Sequence, residues 1–144
     1  MSLTPHIVVP DAAAAADFYR RAFGAEEVGR VPLPRGRVMS VELLLGGTSL
    51  HVGSEFSDFG ILSPMAIGGT ATVLQLDVPD ADAAWARALE AGAEVRSPLA
   101  DQFWGERHGQ VVDPFGHRWN IAQRVREVPP EEIAERAAEV FGSG

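Results

Sequence analysis

Two stretches of this chain carry the same alternation of apolar and polar positions. Each opens with a short apolar run, HIVVPD in the first and VLQLDVPD in the second, patterned as a strand half-buried on one face. Each run breaks at a proline, Pro10 or Pro79, followed at once by an aspartate and an alanine-rich segment. In those segments the apolar residues recur at helical spacing.

The first unit predicts a strand over 4–9, with Asp11 as N-cap of a helix reaching about Phe23. That helix turns Ala15, Phe18, Tyr19 and Ala22 inward, and Gly24 stops it. Strands follow over roughly 26–32, 37–46 and 48–53, the last two joined by a hairpin at Gly46-Gly47. The second unit predicts a strand over 71–78 and a helix capped by Asp80 that runs to about Ala91, with Ala84, Trp85, Ala88 and Leu89 inward and Gly92 beyond. A short strand near 94–97 comes next. Strands over 107–113 and 117–123 then flank the turn Asp113-Pro114-Phe115-Gly116.

Each unit therefore reads βαβββ, as modules 4–53 and 71–123. One four-stranded module leaves a sheet face uncovered. Two paired modules solve this, giving an α+β fold with a curved mixed sheet, helices outside and an open cleft. One domain over 1–127 is expected, with a linker at 55–69 and an amphipathic C-terminal helix within 128–144. The helix carries Ile133, Ala137, Val140 and Phe141 on one stripe. The linker holds Phe56, Phe59, Ile61, Leu62 and Met65, which suit either a loop tucked onto the core or a lid over a ligand.

Composition changes this picture by exclusion. The 144 residues carry a net charge of −8, which disfavours nucleic acid and anionic membrane as partners. No apolar run is long enough to span a bilayer, and no signal pattern follows Met1, so a cytoplasmic protein is expected. Without cysteine there is no thiolate chemistry, and all 12 basic residues are arginine, so no lysine can form a Schiff base.

The segments VVPDAAAAADFYRRAFGAEEVGR, PRGRVMSVELLLGGTSLHVGSE and DQFWGERHGQVVDPFGHRWNIAQ resemble the glyoxalase/bleomycin-resistance/extradiol-dioxygenase superfamily, the vicinal oxygen chelate proteins, in its bleomycin-resistance-like branch. The resemblance covers residues 4 to about 126. It implies the paired-module fold, a homodimer whose cleft is completed by the partner, and a small-molecule ligand. The superfamily hosts lyases, isomerases, dioxygenases and non-catalytic drug-binding proteins, so it does not name an activity.

The metal-ligand positions of the superfamily's enzymes fall on Thr4, His51, Val73 and Asn120. Only His51 is a strong ligand there, so no cofactor is expected; a divalent metal, if present, would sit on His51 and His6. Strand parity and the repeat group His6, His51, Gln75 and Asn120 as a polar, uncharged set expected to line one cleft. Arg118 and Asp77 share that parity. They suit an ion pair or a ligand contact, while Trp104, beside Phe103 in DQFWGERHG, suits a rim over the ligand. Glu42 and Glu106 are the carboxylates best placed for proton abstraction if the protein is an enzyme. Trp119 is expected beneath the helices and His117 at the surface. The leading reading is a metal-free small-molecule binder. A metal-dependent glyoxalase-like lyase or isomerase and a non-catalytic interaction module are the alternatives.

Overall fold

A computed structural model describes residues 1–142. The first module runs β1 (His6–Val9), α1 (Ala12–Phe23), β2 (Glu26–Pro32), β3 (Val38–Leu45) and β4 (Thr48–Ser54). A short helix, α2 (Pro64–Ile67), lies in the linker. The second module runs β5 (Val73–Asp77), α3 (Ala81–Ala91), β6 (Glu94–Asp101), β7 (Glu106–Val112) and β8 (Arg118–Arg124), and α4 (Pro130–Phe141) follows. The two sheets have equivalent strand orders, β1-β4-β3-β2 and β5-β8-β7-β6, with one parallel pair in each. This is the α+β architecture of paired βαβββ modules that the repeat predicts, with two four-stranded sheets in place of the single curved sheet expected.

The repeated VPD motif works as its chemistry suggests. Asp11 accepts from the Ala13 amide and Asp80 from the Ala83 amide, each satisfying a free N–H at a helix start. At the other end of α1, Gly24 adopts φ 72° and returns its N–H to the last carbonyls. β6 extends well past the expected 94–97, and Pro98 is tolerated there because β6 is an edge strand.

The core lies between the helices and the inner sheet faces. Val9, Val41, Leu43, Leu50 and Val52 pack with Phe18, Tyr19 and Ala22 of α1. The second module joins the same cluster through Val111, Trp119 and Ile121. Phe23 lies 4.8 Å from the Trp119 ring and Tyr19 5.3 Å, so α1 binds both modules together. Gly109 on β7 lets α3 settle, since a Cβ there would sit 2.7 Å from the Trp85 ring.

Asp113 ties this core. Its buried carboxylate accepts from the Phe115 and His117 amides, the Trp119 indole at 2.9 Å and the Tyr19 hydroxyl of the other module. His117 corrects the sequence reading: it is buried, with Nε2 2.7 Å from the Val8 carbonyl oxygen of β1. The exposed backbone of an edge strand thereby gains a partner. Trp119 lies beneath the helices as expected.

In the linker, Ser63 is fully buried and held by Glu55, and Pro64 is buried beside it. Phe59, Met65 and Ile67 stay largely exposed. Helix α4 forms where its pattern predicts, with none of its residues buried. The last two residues of the 128–144 tail lie outside the described residues.

Candidate functional site

Strand parity brings polar side chains to the sheet faces turned away from the helices. On the first sheet one cross-strand row is His6–His51–Glu42, ending opposite Gly29 on β2. The two imidazoles stack with centroids 4.1 Å apart and planes 21° from parallel. His51 Nδ1 lies 2.6 Å from Glu42 Oε1. A carboxylate can only accept, so Nδ1 donates this hydrogen bond, and in the neutral imidazole Nε2 keeps its lone pair. The next residue on that face of β4 is Gly53, where an added Cβ would stand 4.0 Å from His51 Nε2. The space beside this acceptor is open because residue 53 has no side chain.

On the second sheet the equivalent row is Gln75–Asn120–Gln110. Arg118 Nε donates to Gln110 Oε1 at 2.8 Å, Gln110 to Asn120 at 2.8 Å, Asn120 to Gln75 at 3.2 Å, and Gln75 to Asp77 at 3.1 Å. The ends fix the direction of the whole chain, since a guanidinium only donates and a carboxylate only accepts. Each carboxamide keeps one N–H and one lone pair for another molecule. Arg118 and Asp77 thus do not pair directly; three carboxamides link them.

The four residues expected to line one cleft stand instead as two clusters, one on each sheet: His6 with His51 and Gln75 with Asn120, the pairs the repeat matches. Among the described residues no hydrogen bond or ring contact joins one pair to the other. Strand parity chooses a face within each sheet but says nothing of how two sheets are set against each other. The sheets approach at a cavity of about 200 Å³, lined by His6, Arg118 and the linker residues Leu62 and Ile67. A larger cavity of about 510 Å³ is lined by Phe23, Leu45, Leu50, Leu74, Leu76 and Trp119, with Gln75 at its side.

Trp104 lies in the β6–β7 turn and Glu106 opens β7. The indole N–H donates to Glu106 at 2.5 Å, and the ring meets Phe103 and His108 edge-on. Glu106 is thereby engaged and only 12% exposed, with Arg124 4.0 Å away. Glu42 is more open, and its carboxylate orients His51. His108 belongs to the DQFWGERHG segment that suits a rim. Gln110 is the residue that the sequence reading missed, and its even spacing with Glu106 along the strand is the available signal.

The side chains of this chain do not fit a divalent metal well. The lone pairs of two nearly parallel stacked imidazoles run side by side and do not converge on one point about 2.0–2.1 Å from both nitrogens. Glu42 is committed to Nδ1, and among the described residues no group of three or more His, Asp or Glu is arranged to hold a metal. No described helix is long and apolar enough to cross a membrane.

Comparison with known proteins agrees with the fold. The family model described as Glyoxalase/Bleomycin resistance protein/Dioxygenase superfamily matches residues 3–121. An uncharacterized protein of Mycobacterium bovis is 45% identical over 135 residues, covering 92% of this chain and 89% of that one. Among solved structures, TioX from Micromonospora sp. ML1 is 27% identical with a TM-score of 0.70, covering 87% of this chain and 99% of that one. TnmS3, an antibiotic binding protein from Streptomyces sp. CB03234, is 25% identical with a TM-score of 0.60, covering 86% of this chain and 97% of that one. By the extent of the family match and the module architecture, this chain belongs to the glyoxalase/bleomycin resistance protein/dioxygenase superfamily.

Proposed function

We propose that this protein binds a small organic molecule, without a metal, in a cleft that a second copy of the chain completes. The observation that carries the reading is the pair of hydrogen-bonded polar clusters, Glu42–His51–His6 and Gln110–Asn120–Gln75, on the sheet faces opposite the core. Their directional donors and acceptors suit a largely uncharged ligand, and the apolar linker residues and Trp104 suit its rim. The antibiotic-binding description of TnmS3 favours an antibiotic or a molecule of similar size. The donor set supports the metal-free reading: two stacked histidines without a free carboxylate form a weak divalent site.

A thermal-shift screen against an antibiotic panel, run with and without chelator, tests this. A ligand at a hundredfold its Kd should stabilise the fold by about 2.7 kcal/mol, and chelator should leave the midpoint unchanged. A chelator-sensitive midpoint with stoichiometric metal would instead favour the metal-dependent lyase or isomerase reading. The absence of any ligand-induced shift would argue for an interaction module.

A further inference from the structure

The geometry points to a specific anchor in that cleft: His51 Nε2 accepts the hydroxyl proton of a phenolic ligand whose aromatic ring lies over Gly53. This inference rests on the small-molecule reading and names the ligand's chemistry.

The acceptor is defined by its neighbours. Nδ1 lies 2.6 Å from Glu42 Oε1, so the neutral imidazole meets a ligand through Nε2 as an acceptor. His6 covers one face of the ring, which leaves the Nε2 edge as the approach.

The floor beside that edge is Gly53, with valines on the row to either side and the buried Ser40 between Gly53 and Val31. Gly53 pairs with Val8 on one side and Ser40 on the other, and Ser40 pairs in turn with Val31. A planar ring can lie on Gly53 between the two valines where an aliphatic branch would stand off. Gly53 has an ordinary backbone conformation, so the missing side chain is not required by the turn of the chain.

The donor class follows by comparison. A carboxylic acid would arrive ionised, beside Glu42 and against a net charge of −8. An ammonium would be drawn to Glu42 itself and make Nε2 redundant. An aliphatic hydroxyl is a weaker donor than a phenol, whose acidity is closer to that of imidazolium. A phenolic O–H fits acceptor and floor together.

The test uses 4-nitrophenol and its methyl ether, 4-nitroanisole, which share a ring and differ in the proton. Titrations on the acid side of the phenol's own ionisation should show 4-nitrophenol binding at least about tenfold more tightly. His51→Phe keeps a ring for His6 to stack on and should bring the two probes to equal affinity. Glu42→Gln should reduce the preference. Gly53→Val should exclude both probes while leaving the circular dichroism spectrum intact, and with Glu42→Gln it decides the matter if His51→Phe does not fold. Equal binding in the unmodified protein, or a preference that survives loss of His51, overturns the inference. If neither probe binds while panel molecules still stabilise the protein, the phenolic anchor falls and the binding function stands. If nothing binds, both fall.

Discussion

At the scale of single residues, the two most consequential groups are Asp113 and Tyr19. Tyr19 is the only tyrosine in the chain, fully buried, and its hydroxyl donates to Asp113. Burial holds the phenol well above its ordinary ionisation, and the Asp113 charge and hydrogen bond add to this. The unfolded chain loses that proton near pH ~10 while the folded chain keeps it. The stability linked to this group is therefore intact below that value and declines as the pH rises beyond it. Tyrosinate absorbance in an alkaline titration should appear together with loss of far-ultraviolet circular dichroism. Ionisation at the ordinary pH with the fold intact would contradict this account. Sequence spacing shows Asp113 as a turn residue. Its four-donor role could not be read there, because three of the donors lie downstream in the same turn and strand and the fourth is on α1.

At the scale of elements, helix contacts lock the modules. The Arg87 guanidinium on α3 donates to the Arg21 carbonyl at 2.8 Å and the Arg20 carbonyl at 3.2 Å, placing a cation on the C-terminal end of α1. Arg87→Ala should cost about 1–2 kcal/mol in denaturant unfolding, and Arg87→Lys should recover part of it. No change in the midpoint would mean the contact is incidental. Most elements were legible: the aspartate caps, the stop at Gly24 and the hairpin at Gly46-Gly47 are local signals, and local chemistry decides them. The length of β6 was less legible, since Pro98 argues against a strand until the edge position is known. The burial of His117 depends on a carbonyl in the other module. The site was legible to the level of pairs, because register follows from the repeat, and no further, because the relation between sheets is tertiary.

At the scale of the whole molecule, the chain exposes more surface than its size requires. Its accessible area is 8678 Å², against about 7,200 Å² for a compact monomer of this mass. The excess exceeds the roughly 800 Å² that one partner commonly buries in a stable complex. Phe59, Met65, Ile67 and Phe141 are among the exposed apolar side chains. Sedimentation equilibrium should give a dimer at micromolar concentration, and a monomer there would remove the second copy from the proposed cleft.

Gly53, His51, Glu42 and the carboxamide row share a property with consequences for how such a protein changes over time. They stand on the sheet faces opposite the Tyr19–Asp113–Trp119 core, on strands whose inward residues do the packing. With these rows binding the ligand as proposed, recognition and folding draw on alternating, separate positions of the same strands. Drift at 6, 42, 51, 53, 75, 110 and 120 would then explore new ligands at little risk to the scaffold. One backbone can in this way host many specificities, and a chain so organised is a natural starting point for directed evolution.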